Sequence, residues 1–201
     1  MNYESTPEHA TQFEICKKWD GKESITLTGK PGTGKTHLAI AMLKNMPMIK
    51  LSEEKASKEE SNIKYKVNYS EEKEYWQKVL ASGAWRYRSA ICTFVSFVEL
   101  FIKINQEAMT DGGKMKMLDI YAKDYDCICF DDLGAEKLTD AKRENLYYII
   151  DSRYREMLPT IITSNFTIQE ISEVEPRIAS RLAEMGKILQ FNGSDYRKNR
   201  K

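Results

Sequence analysis

Beyond Ser24, short runs of β-branched and other apolar residues alternate with stretches in which apolar side chains recur every three or four positions. Strand patterns alternating with helical ones predict a parallel sheet with helices packed on both faces, an α/β architecture. "SITLT" (24–28) predicts the first strand and "KTHLAIAMLKN" (35–45) the helix after it. "AICTFV" (90–95) predicts a second strand, running into "SFVELFIKINQEAM", where Phe97, Leu100, Phe101 and Ile104 share a helical face. "YDCICF" (125–130) reads as a buried strand.

From Thr139, "TDAKRENLYYIIDSRYREM" predicts a helix with Leu146, Ile149, Ile150 and Met157 on one side, which Pro159 stops. "TIITSN" (160–165) is the next strand, and Thr167 and Glu170 have the spacing of a capping box. Pro176 suits the first turn of a last helix that ends near Gly186, and "KILQF" (187–191) returns to the sheet. Residues 46–89 break this rhythm: they are rich in lysine and glutamate and too long for an ordinary connection. They read as a charged surface insertion. It is either a partner-binding element anchored by Trp76, Trp85 and Tyr87 or a solvated, partly helical loop.

A chain of 201 residues supports one sizeable core and is short for two, so 1–201 is expected to be a single domain carrying that insertion. Lysine plus arginine (31) nearly cancels aspartate plus glutamate (30), so any nucleic-acid surface must come from local segregation of charge. Cys16, Cys92, Cys127 and Cys129 lack zinc-site spacing, which favours a reduced, cytoplasmic setting; Cys127 and Cys129 fall on one face of a strand, facing the core. "MNYESTPEHA" has no apolar signal core, and no stretch approaches the roughly 18 apolar residues of a membrane span. A soluble intracellular protein is expected.

"GKPGTGKT" (29–36) satisfies the spacing of a phosphate-binding loop, Gly, four residues, Gly-Lys-Thr, in the required place between strand and helix. Gly29, Gly32 and Gly34 allow a tight turn, and Lys30, Pro31 and Thr33 complete a loop whose N–H groups point at phosphate oxygens. The positive end of the following helix adds to that anion site. Lys35 is placed for the β- and γ-phosphates and Thr36 for Mg2+. His37 follows them at the edge of the loop, in the helix's first turn.

In parallel sheets ligands bind at the carboxyl ends of strands. Asp131 ends its strand as the loop ends "SITLT", making it the metal partner of Thr36. Asp132 is next to it, positioned to orient or deprotonate an attacking water. Asn165, ending "TIITSN", lies beside the same crevice and can hold that water or the γ-phosphate. Arg177 and Arg181 share one face of a short helix. They either pair with Glu173, Glu175 or Glu184 or serve a neighbouring subunit's nucleotide.

Together, "GKPGTGKTHLA", "FDDLGAEKLT", "YYIIDSRY", "PTIITSN", "RIASRL" and "FNGSDYR" resemble, in order, the AAA+ ATPases of the DnaC and DnaI helicase-loader type and the related transposition ATPase IstB. The resemblance covers most of 20–45 and 90–197. It implies a P-loop NTPase core with a Walker A at Gly29–Thr36, a Walker B at Asp131 and Asp132, a sensor at Asn165 and an arginine finger at Arg181, with Arg177 beside it. It also implies Mg2+-dependent ATP hydrolysis in a homo-oligomer that handles single-stranded DNA and acts on the replicative helicase.

Three departures stand out. The loaders' N-terminal helicase-binding domain is expected to be absent, the 46–89 insertion is long for the family, and no room is expected for a C-terminal lid. Asp132 also stands where AAA+ proteins more often carry glutamate. For DNA, the "RKNRK" end (197–201) and the helix from Phe97 to Met109 are candidates. Two further functions fit the same motifs: an IstB-type transposition ATPase, and a nucleotide-switched module that captures a helicase or loader. A small-molecule kinase does not, because nothing after Asp132 reads as a phosphoacceptor pocket.

Overall fold

The computed structural model describes residues 9–135 and 137–193, the side chain of Tyr69 excepted. Ahead of the first expected strand the chain forms a helix that periodicity does not announce, α1 (Ala10–Lys17). β1 (Ser24–Gly29) and α2 (Lys35–Lys44) follow as the sequence predicts. The next elements are β2 (Ile49–Lys50), α3 (Glu53–Tyr69), α4 (Lys73–Ser82) and β3 (Tyr87–Arg88). Strand and helix then alternate: β4 (Cys92–Ser96), α5 (Phe97–Glu107), α6 (Gly113–Asp119) running into a π-helical turn, β5 (Cys127–Leu133) and α7 (Asp140–Arg155). β6 (Thr160–Ser164), α8 (Ile168–Val174), α9 (Pro176–Met185) and β7 (Gly186–Phe191) complete the order.

The chain divides into two compact units, one running to Met46 and resuming at Ile91, the other spanning Pro47–Ala90. In the first, five parallel strands lie in the order β4-β5-β6-β1-β7. β1 is therefore central and buried along its whole length. Side chains alternate across the sheet, so β5 sends Cys127 and Cys129 to one face and Ile128 and Phe130 to the other. The first face packs with Leu38, Ala39 and Met42 of α2 and Cys16 of α1. The second packs with Leu100, Phe101 and Ile104 of α5, Leu146, Ile149 and Ile150 of α7, and Ile178 and Leu182 of α9.

In the Pro47–Ala90 unit, Ser52 caps α3 by accepting the Lys55 N–H, and Glu54–Lys58 and Glu60–Lys64 pair one turn apart along it. Lys66 lies 4.1 Å from the centre of the Trp76 ring, linking α3 to α4, and Trp85 Nε1 donates to the Leu80 carbonyl at 3.2 Å. β2 and β3 close the unit as an antiparallel pair. Trp76 and Trp85 are thus partly buried within the unit, whereas Tyr87 is exposed.

Met157 departs from the expected buried face. α7 ends at Arg155, Met157 takes a left-handed φ of 51°, and its side chain is 84% exposed. The buried position near that end belongs instead to Arg153, fully enclosed. Its Nε donates to Thr160 Oγ1 at 2.8 Å, and its terminal nitrogens donate to the carbonyls of Tyr121, Tyr125 and Pro159 at 2.9–3.3 Å. Burial pulls this guanidinium down to about 10, and the oxygen fork around it compensates for lost water. Arg153→Lys keeps the charge and loses the fork, so it should lower the unfolding free energy by about 3 kcal/mol in urea denaturation.

Candidate nucleotide site

β1 delivers the phosphate loop at the carboxyl edge of the sheet. Gly29 has φ 125°, and the Phe191 backbone occupies the space a Cβ would need, so glycine is required there. Gly34, also left-handed at φ 88°, leads directly into α2. Thr33 Oγ1 donates to the Lys30 carbonyl at 2.9 Å and braces the loop. Lys30, Pro31 and His37 are exposed at its rim, with Gly32 and Gly34 half-buried between them.

Lys35 and Thr36, the first residues of α2, reach the ends of two other strands. Lys35 is 6% exposed, and its Nζ donates to the carbonyls of Gly29 (2.7 Å) and Lys30 (2.8 Å) and to Asn165 Oδ1 (3.0 Å). Thr36 Oγ1 donates to Asp131 Oδ1 at 2.9 Å. That same carboxylate oxygen takes a second hydroxyl, from Thr163, at 2.6 Å.

In a regular strand, neighbouring side chains point to opposite faces, which would separate Asp131 from Asp132. β5 avoids this with a register shift against β6 between Phe130 and Leu133. Within the shift Asp132 adopts φ 64°, and its N–H donates at 2.9 Å to Thr163 Oγ1. The irregularity turns both carboxylates toward one site, Asp131 onto Thr36 and Asp132 onto Asn165. The positive φ also gives a reason for aspartate where glutamate is expected, because the shorter acid tolerates left-handed backbone better.

Asn165 Nδ2 donates to Asp132 Oδ1 at 2.6 Å while its Oδ1 accepts from Lys35. The amide orientation is forced, since the carboxylate only accepts and the ammonium only donates. The turn after β5 is fixed against the one after β6. Ser164 Oγ donates to the Leu133 carbonyl at 2.8 Å, and the Phe166 ring fills the space beside Gly134, which sits at φ 93°. Lys35, Thr36, Asp131, Asp132 and Asn165 therefore form one hydrogen-bonded cluster, closed through Thr163.

Arg177 and Arg181 are bonded elsewhere. Arg177 Nε donates to Glu175 at 3.0 Å and its guanidinium lies 4.5 Å from the Tyr147 ring centre. Arg181 donates to Asp151 at 2.9 Å and Glu184 at 3.3 Å, 4.5 Å from the Tyr154 ring centre. The Glu175 and Asp151 carboxylates raise the two guanidinium pKa values above the usual arginine value. Among the DNA candidates, Phe97 and Phe101 are core residues and cannot stack on bases, and 197–201 lies outside the described residues.

Sequence reasoning missed Thr163, which bridges both aspartates. The available signal was the polar Thr-Ser-Asn end of an otherwise apolar strand. Among the described residues no group of three or more His, Cys, Asp or Glu could hold a metal. Thr163→Val keeps the shape and deprives Asp131 and the Asp132 N–H of a partner; urea denaturation should show a loss of about 1–3 kcal/mol, largely restored in Thr163→Ser.

The Bacillus subtilis (strain 168) phage-like element PBSX protein XkdC is 24% identical over 188 residues, covering 91% of this chain and 54% of XkdC. The chain thus spans about half the length of that relative. The crystal structure of the DnaC helicase loader superposes with a TM-score of 0.61 at 21% identity, covering 95% of this chain and 94% of the other. AMPPCP-bound DnaA from Aquifex aeolicus gives 0.64 at 16% identity over 94% of this chain and 48% of its own. These likenesses show the P-loop fold of AAA+ type. Residues 72–201 match the IstB-like ATP binding proteins, and with more than half of its length in that match the chain belongs to this family.

Proposed function

We propose that this chain is a Mg2+-dependent ATPase of helicase-loader type, acting in DNA replication within a homo-oligomer. The observation that carries the reading is the single cluster of Lys35, Thr36, Asp131, Asp132 and Asn165, joined through the Thr163 hydroxyl. Its donor set fits a magnesium nucleotide: one hydroxyl and one carboxylate for the cation, an ammonium and loop N–H groups for the phosphates. Thr36 Oγ1 and Asp131 would hold Mg2+, which supplies positive charge against the β- and γ-phosphates.

Lys35 exchanges its carbonyl and amide acceptors for phosphate oxygens, a stronger, charge-assisted set. That exchange releases Asn165 Oδ1 and leaves its Nδ2 on Asp132, so the amide is held beside the carboxylate that orients the water. Asp132, an acceptor at the strand end, takes the water's proton or fixes its direction. A replicative helicase is the partner this reading assigns by similarity to the loader, and single-stranded DNA by similarity to replication initiator DnaA bound to AMPPCP and single-stranded DNA. The family match itself favours one other reading, an IstB-type ATPase working in transposition, which would use the same nucleotide chemistry.

Arg181 is assigned as the finger that reaches a neighbouring subunit's nucleotide, with Arg177 beside it. At 29% side-chain exposure and bound to Asp151 and Glu184, it must trade two carboxylates for phosphate oxygens on assembly. Hydrolysis then depends on association. ATP turnover per subunit should rise with protein concentration, and Arg181→Ala should lower the assembled rate by roughly a thousandfold while ATP binding persists. A rate independent of concentration and indifferent to Arg181→Ala contradicts the assignment.

A further inference from the structure

Arg177 and Arg181 stand one turn apart on α9, each paired with a carboxylate and lying over a tyrosine of α7. Their acceptors differ in what they keep if the arginine leaves. The Glu175 side chain is 7% exposed, and among the described residues Arg177 is the side chain that holds its carboxylate. Withdrawing Arg177 would leave a buried charge uncompensated, a state that proteins avoid.

Arg181 is held differently. Asp151, with a side chain 17% exposed, accepts Arg181 Nε through Oδ1 at 2.9 Å, yet its other oxygen, Oδ2, already takes Arg155 Nε at 3.2 Å. The Tyr147 hydroxyl donates to Oδ1 at 3.5 Å. Glu184 accepts Arg181 through Oε2 and the Ser180 hydroxyl through Oε1, at 3.3 and 3.1 Å. Neither carboxylate loses its last partner when Arg181 departs.

We infer that Arg155 is a positioning residue for Arg181: it keeps Asp151 neutralised so that Arg181 can be withdrawn toward a neighbouring subunit, while Arg177 stays behind as the anchor of α9. The inference rests on the assignment of Arg181 to that subunit's nucleotide. Arg155 is suited to remain in place, because it is the last residue of α7, where the negative end of the helix favours a cation, and it stands one turn beyond Asp151. By sharing the Asp151 carboxylate it also weakens the hold on Arg181. Asp151 and Arg155 therefore act in opposite directions. Asp151 opposes release, and Arg155 lowers its cost.

ATP turnover per subunit, measured on the full chain against protein concentration, tests this with Asp151→Asn, Arg155→Ala, Arg155→Lys and Arg181→Ala. The concentration giving half-maximal turnover should fall roughly fivefold in Asp151→Asn and rise roughly fivefold in Arg155→Ala, with the plateau rate of both near that of the wild type. Arg155→Lys restores the charge and should return the midpoint most of the way. Loss of structure cannot produce the gain at low concentration expected of Asp151→Asn. Midpoints that move in the same direction in Asp151→Asn and Arg155→Ala overturn the inference, as does an unmoved midpoint in Arg155→Ala or a lowered plateau in Asp151→Asn. If Arg181→Ala turns over like the wild type at every concentration, the assignment of Arg181 itself fails, and the role of Arg155 with it.

Discussion

The two hydroxyl hydrogen bonds to Asp131 Oδ1, from Thr36 and from Thr163, are the constraint on which the rest of the site depends. They tie the first turn of α2 and the end of β6 to the end of β5. Oxygen donors at 2.6 and 2.9 Å on one carboxylate oxygen are strong, charge-assisted contacts in a half-buried setting. The same Thr163 hydroxyl accepts the Asp132 N–H, so a single side chain stabilises both the Asp131 carboxylate and the irregular backbone beside it.

That backbone explains how two like charges can end a buried strand. A regular β5 would have sent one aspartate into an apolar layer, at a cost well above what the fold can absorb. The register shift redirects Asp132 to Asn165, whose other end meets the Lys35 ammonium. Positive and negative charge are thereby linked through one neutral amide. Arg153 plays a comparable part away from the site, where one buried cation ties α7 to the start of β6 and to the π-helical turn ahead of β5.

The parallel sheet and the loop were legible because periodicity and glycine spacing are local signals. Phe97, Leu100, Phe101 and Ile104 announce α5, and "GKPGTGKT" announces its own geometry. What sequence could not reveal lies in contacts between distant residues. Thr163 is one more β-branched residue of a strand, and Arg153 one of several charges in a helix. Each acquires its role only when the strand order is known. Met157 was misassigned for a related reason: periodicity extends a helix past the point where the backbone turns left-handed. The Pro47–Ala90 unit is likewise more ordered than its composition suggests, because cation–ring contacts and one-turn ion pairs do not show in hydropathy.

The central claim is that strand ends far apart in sequence form one nucleotide site around Lys35. Equilibrium ATP binding in Mg2+, compared between the wild-type chain and Lys35→Ala, tests it most directly. The account predicts saturable binding by the wild type and a loss of roughly a hundredfold in the variant, which gives up a buried charge-assisted contact to phosphate. Equal affinity in the two proteins would contradict it.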